Sequence, residues 1–212
     1  MRLRPEWGRR LAEIVKDSSV KFPESVHHAA VTTKRATAWA HEIVAGAVKS
    51  GDLVVDATAG NGHDTVFLAG LVGEDGRVVA IDVQAAAIES ARARVAAAGL
   101  SARVEFFQES HAMLALRVDR EVGAVMFNLG YLPGADHAVI TCADETLAAL
   151  EASRSVLRPG GVLAVVCYPG HAGGDEEAAA VVGWAGRVGA RVFPQAREGA
   201  PFLVVWQRED QG

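Results

Sequence analysis

Residues 54–71, VVDATAGNGHDTVFLAGL, constrain the fold of this chain more than any other stretch. A short apolar run, Leu53–Val55, carries the β-branched residues that suit a buried strand. Asp56 ends it. Ala57-Thr58-Ala59-Gly60-Asn61-Gly62 is a turn of small residues, and His63-Asp64-Thr65 lead into the helical pattern Val66-Phe67-Leu68-Ala69. Strand, glycine turn and helix in succession bring backbone N–H groups close to a polar ligand.

The turn lacks the third glycine of the dinucleotide fingerprint G-x-G-x-x-G, and Asp64 follows two residues after Gly62. Acids on both sides of a turn repel a pyrophosphate. They suit a ligand with a cationic amino-acid end, such as S-adenosylmethionine (SAM), which has an ammonium, a sulfonium and a ribose but no phosphate. The next strand, Val78–Ile81, ends at Asp82, where a carboxylate can accept both ribose hydroxyls. NAD enzymes use the same device, so Asp82 alone does not separate the two cofactors. The missing glycine and the extra acid favour SAM. The bland alternative is a βαβ unit with ordinary acids at its strand ends.

The 212 residues suffice for one α/β domain with a full core, and half of them are apolar. No apolar run reaches the ~20 residues of a membrane span, so no membrane partner is expected. The start, MRLRPEWGRR, has no apolar stretch behind it and does not read as a secretory signal. Cys142 and Cys167 lack metal-ligand spacing and read as reduced thiols of a cytoplasmic protein. The net charge is −5, yet residues 1–35 hold eight basic and four acidic side chains. Such asymmetry marks either a polyanion contact or a solvated terminal helix and linker.

Taken in order, residues 5–16 suit a short helix and residues 35–49 a stronger amphipathic one, with Trp39, Ile43, Ala47 and Val48 on one face. Strands follow at 53–55, 78–81, 103–107, 124–129 and 162–167, with helices at 84–98, 141–157 and 176–186. Gly99 suits a helix C-terminus, Arg158-Pro159-Gly160-Gly161 a turn before the fifth strand, and Asp175 an N-cap. Residues 191–194 and 202–207 suit a closing hairpin. The pattern predicts a doubly wound, seven-stranded Rossmann-like sheet with its last hairpin antiparallel. Residues 1–27 read as a basic N-terminal extension and residues 28–212 as one domain.

In open α/β sheets ligands lie beyond the carboxyl ends of the strands. The polar clusters of this chain fall at those ends: Asp56 to Asp64, Asp82, Gln108 to His111, Asn128 to His137 and Tyr168 to His171. The expected cofactor set is Asp56, Thr58, Gly60, Asn61, Gly62, His63, Asp64, Asp82, Gln84, Gln108, Ser110, His111 and Asn128. Asn128-Leu129-Gly130-Tyr131-Leu132-Pro133 resembles the Asn-Pro-Pro-Tyr segment of methyltransferases that act on exocyclic amines, with Leu-Gly in place of Pro-Pro. There the Asn orients the amine and the aromatic ring packs on the target. Asn128, Tyr131, Asp136 and His137 are the candidate catalytic residues. Asp136 or His137 would remove a proton, because an alkylamine with a pKa near ~10 must be neutral to attack. His111 and His171 are further candidates for that step. The alternative for Asn128 is a buried turn cap with Tyr131 as packing. No metal site is expected, since H-E-x-x-H and Cys/His ligand spacings are absent.

Three motifs together resemble a known family: residues 56–65, residues 127–137, and Tyr168-Pro169-Gly170-His171-x-Gly173-Gly174-x-Glu176. The chain is similar to the YtqB-like rRNA methylases, reassigned as tRNA wobble-uridine methyltransferases (MnmM), from about residue 28 to the C-terminus. The resemblance implies a class I SAM-dependent fold. It implies N-methylation of the aminomethyl group of 5-aminomethyl-2-thiouridine at the tRNA wobble position, and so a tRNA partner contacted around its anticodon. A homodimer is compatible with it, although the sequence shows none. The competing readings are a small-molecule or rRNA methyltransferase of the same fold and a SAM-binding protein without catalysis.

Overall fold

The computed structural model describes residues 35–130, 143–170, 173–193 and 199–209. The N-terminal extension, Tyr131, Asp136, His137, Cys142 and His171 therefore lie outside the described residues.

The strands are β1 (Leu53–Asp56), β2 (Arg77–Asp82), β3 (Val104–Gln108), β4 (Val122–Leu129), β5 (Leu157–Cys167), β6 (Arg191–Phe193) and β7 (Phe202–Gln207). The helices are α1 (Ala36–Ala47), α2 (His63–Leu71), α3 (Ala85–Ala97), α4 (Ala143–Val156) and α5 (Gly174–Val188). One seven-stranded sheet runs in the order β3-β2-β1-β4-β5-β7-β6, with β7 antiparallel to both of its neighbours. This is the doubly wound sheet expected from the sequence. The chain winds outward from β1 through β2 to β3, then returns to place β4 on the other side of β1. The reversal opens a crevice at the carboxyl ends of β1 and β4.

Strands buried on both faces need long apolar runs, and β1 and β4 supply them up to Asp56 and Asn128 near their carboxyl ends. Val55, Val125 and Phe127 pack against one layer with Leu150, Val181 and Trp184 of α4 and α5. Val54, Ala124 and Met126 face the other, with Ala40 and Val44 of α1 and Leu68 of α2. Trp39 meets Phe193 edge to face at 4.9 Å, which ties α1 to the far strand β6.

Two local expectations are corrected. Arg158–Gly161 does not precede the fifth strand but bulges within it. Val122 pairs with Leu157 and Ala124 with Val162, so a step of two residues along β4 matches a step of five along β5. Gly160 turns at φ 72°. The bulge sends Arg158 to the Asp52 carboxylate at 2.7 Å and to the Ala47 carbonyl at 2.8 Å, closing the amino-terminal edge of the sheet. At α5 the N-cap is Gly173, at φ 77°, and not Asp175. Asp175 instead accepts the Gly170 N–H at 2.8 Å, folding the preceding loop onto the first turn of α5.

Glycine is required where the turn after β1 meets α3. Gly62 has φ 77°, and a Cβ there would stand 2.7 Å from Ala91 Cα. Gly62→Ala is expected to destabilise the chain by about 1–3 kcal/mol through backbone strain. Gly70→Ala, exposed in α2 with nothing within 4 Å of the added carbon, is expected to stabilise by about 0.5–1 kcal/mol. Urea denaturation of the two variants checks both signs.

Candidate functional site

The turn after β1 stays stitched into the sheet on both sides. Ala57 N–H donates to the Met126 carbonyl of β4, and Ala59 N–H to the Ile81 carbonyl of β2, each at 2.9 Å. Gly60 then doubles back and donates its N–H to Asp82 Oδ2 at 2.9 Å. Gln84 N–H donates to the other oxygen, Oδ1, at the same distance. An ionised carboxylate offers about four lone-pair sites, so Asp82 retains acceptor capacity on both oxygens. Asn61 is anchored to α3: its Oδ1 accepts from Ser90 at 3.1 Å and its carbonyl from Arg94 Nε at 2.5 Å.

Asp56 is 1% exposed at the end of β1. Thr65 Oγ1 donates to its Oδ2 at 2.5 Å and Thr58 N–H to its Oδ1 at 3.2 Å. Burial, with the nearby charges of Asp64 and Asp82, outweighs these bonds and pushes the carboxyl up to about 7. A carboxylate cluster of this kind calls for a positive ligand group, which would relieve all three acids at once.

Asn128, at the end of β4, lies beside this cluster. Its backbone N–H donates to Thr58 Oγ1 at 2.7 Å, and its Nδ2 donates to Asp64 Oδ2 at 3.2 Å. Its Oδ1 is buried with no hydrogen-bond partner among the described residues. Asp64 also pairs through Oδ1 with His41 Nε2 of α1 at 2.7 Å. Tyr168, just past β5, joins the group. Burial and the charge of Asp64 raise its phenol, against a hydrogen bond from the Asn128 side chain that lowers it.

At the β3 end, Gln108 is exposed and Ser110 Oγ donates to Glu145 Oε2 of α4 at 2.8 Å. His111 is 5% exposed and stands edge to face with Phe127 at 5.5 Å. Burial pulls its imidazole below the usual range, so it is neutral at pH 7, and its Nε2 has no partner among the described residues. His63 is exposed at the start of α2.

The fold thus brings together Asp56, Thr58, Gly60, Gly62, Asp64, Asp82, Gln84 and Asn128 from the expected set. His41 is an addition that sequence reasoning missed, and Tyr168, named in a strand-end cluster but not in the expected site set, joins them. Tyr168 was legible as a strand-end residue. His41 carried only the mark of a polar residue beside the apolar stripe of α1. Cys167 is a buried free thiol raised well above its ordinary value by burial, and is chemically inert. No cluster of metal-ligating side chains occurs among the described residues. No helix among them is long and apolar enough to cross a membrane.

Comparison with known proteins bears on this arrangement. The family model described as "Putative rRNA methylase" matches residues 78–197. A chloroplastic protein of Arabidopsis thaliana, "tRNA (mnm(5)s(2)U34)-methyltransferase", is 41% identical over 154 residues, covering 68% of this chain and 56% of the relative. The chain thus matches little more than half the length of that relative. A crystal structure from Clostridium thermocellum, described as a "putative rRNA-methylase", superimposes with a TM-score of 0.79 at 38% identity. It covers 82% of this chain, which in turn covers 97% of it. A methyltransferase structure from Streptococcus mutans in complex with SAH has a TM-score of 0.75 at 31% identity, covering 83% of this chain and 99% of its own.

SAM fits the acceptors found here: acids for its ammonium and open lone pairs on Asp82 for its ribose, with no built phosphate cradle among the described residues. The pH dependence of binding follows from Asp56. Below about 7 its carboxyl is protonated in the free chain, and a cation placed beside it favours the carboxylate. Binding therefore releases a proton, and affinity falls as the pH drops below that value. Calorimetry at pH 6 in buffers of different ionisation heat is expected to report release of roughly one proton. In Asp56→Asn the release should vanish.

Proposed function

The chain belongs to the rRNA methylase family of class I SAM-dependent methyltransferases, and from that premise we propose that it N-methylates the aminomethyl group of 5-aminomethyl-2-thiouridine at the wobble position of tRNA. The observation that carries this reading is the Oδ1 of Asn128 near the carboxyl end of β4, buried and without a hydrogen-bond partner among the described residues. An unpaired buried acceptor costs free energy until a donor meets it. A neutral amine brings N–H donors and keeps a lone pair to attack with. A carboxylate substrate has no hydrogen to give and would leave the atom orphaned. The name of the Arabidopsis relative, which specifies a modified tRNA uridine, supports the same substrate class.

Each residue then has a role. When bound, SAM supplies an activated methyl group on a sulfonium. Asp56 and Asp64 offer negative charge to its ammonium, Asp82 accepts from its ribose, and the His111 Nε2, without a partner among the described residues, is available to its nucleobase. Asn128 Oδ1 accepts one amine hydrogen and so turns the lone pair toward the methyl. Such orientation can supply much of the rate, because the electrophile is already activated. From their place in the sequence just after Asn128, Tyr131 is assigned to packing on the uracil, and Asp136 or His137 to receiving the proton lost by the substrate ammonium. Gln108 and Ser110 are assigned to the adenosine end. The compartment proposed is the cytoplasm, where a reduced buried thiol such as Cys167 persists.

Mass spectrometry of nucleosides tests the substrate. Purified protein with SAM and tRNA carrying the aminomethyl nucleoside is expected to convert it to the methylaminomethyl product, a gain of one methyl group. Unchanged tRNA, with methyl transfer to rRNA or to a small amine instead, would overturn the assignment.

A further inference from the structure

We infer that His41 is a positioning residue for methyl transfer, acting through Asp64 to fix which way the Asn128 amide faces. The inference rests on the reading of Asn128 as the amine acceptor. An ionised carboxylate accepts hydrogen bonds and donates none, so whatever touches Asp64 Oδ2 must donate. Asn128 meets that demand by presenting Nδ2 at 3.2 Å. The amide is planar, so Oδ1 is thereby directed elsewhere, to the position where it finds no partner among the described residues. A flipped amide would set its oxygen against a carboxylate oxygen, an electrostatically unfavourable contact. Asp64 therefore selects the orientation in which Asn128 can receive an N–H.

Asp64 can do this only if its own plane is held. His41 holds it, donating from Nε2 to Oδ1 at 2.7 Å. That bond requires a proton on Nε2, which in the neutral ring defines the tautomer. The imidazole is in turn fixed by stacking on Phe67, with centroids 3.8 Å apart and planes 8° from parallel. Phe67 lies three residues after Asp64 on α2, so both project from the same face of that helix. The result is one chain of contacts from α1, through α2, to the end of β4. The His41 side chain is 32% exposed and that of Asp64 12%, so the outer member of the chain sits at the rim and the core does not depend on it.

The experiment is a double-mutant cycle on the full chain, with aminomethyl tRNA as substrate. His41→Ala is expected to lower kcat about tenfold while KM for SAM stays within about twofold, the signature of an interaction used in the reaction step. His41→Gln retains an N–H donor for Asp64 and should recover most of the loss. In an Asn128→Ala background His41→Ala should cost nothing further, because its route to the substrate is gone. A wild-type kcat in His41→Ala, a loss confined to KM for SAM, or equal losses in both backgrounds would overturn the inference. The side-chain amide resonance of Asn128 gives a readout independent of substrate. His41→Ala should shift it, and an unmoved resonance counts against the inference. A wild-type chain inactive on the amine, with a shifted resonance in the variant, would sink the substrate reading alone.

Discussion

A carboxylate that the fold removes from water organises the functional edge of this protein. Asp56 ends β1 at 1% exposure, in the crevice that the reversal of strand order opens. Burying a charge is costly unless it is paired, and here the neighbouring charges of Asp64 and Asp82 have the same sign and add to the cost. The fold tolerates the arrangement by spending backbone N–H groups on it. Thr58 donates to Asp56, while Gly60 and Gln84 donate to Asp82. These bonds shape the glycine turn and leave its electrostatic need unmet. A cationic ligand supplies what the chain withholds, which couples cofactor binding to protonation.

The two edges of the sheet divide the labour. At the amino-terminal edge Arg158, carried on the β5 bulge, pairs with Asp52 and caps the last turn of α1. That pair satisfies itself and asks nothing of a ligand. At the carboxyl edge two buried atoms, Asn128 Oδ1 and His111 Nε2, are left without partners among the described residues. One lies beside the acidic cluster and the other near the end of β3.

Much of this was legible in the sequence, because the signals were local. A glycine turn after a β-branched run, an acid at the next strand end and an Asn closing a third strand each depend on residues adjacent in the chain. What escaped depended on contacts between distant segments. His41 and Asp64 are separated by a whole strand and turn, and helical periodicity says which face is apolar, not which polar residue on the border reaches a neighbour. Arg158-Pro159-Gly160-Gly161 reads as a turn because turn chemistry is local, whereas the pairing that absorbs it into β5 is set by β4 and by the backbone of Arg208, just past the end of β7. Asp175 fits an N-cap by type, but the left-handed Gly173 starts α5 two residues earlier than that role allows.

The central claim is that Asn128 acts on the acceptor amine and not on the cofactor. Single-turnover methylation by Asn128→Ala at saturating SAM tests it most directly, since it separates the chemical step from binding and product release. A rate loss on the order of 100-fold, the cost of misplacing a reacting group by about 1 Å, with wild-type SAM affinity, is the predicted result. A near wild-type rate, or a loss that higher SAM concentrations restore, would contradict the account.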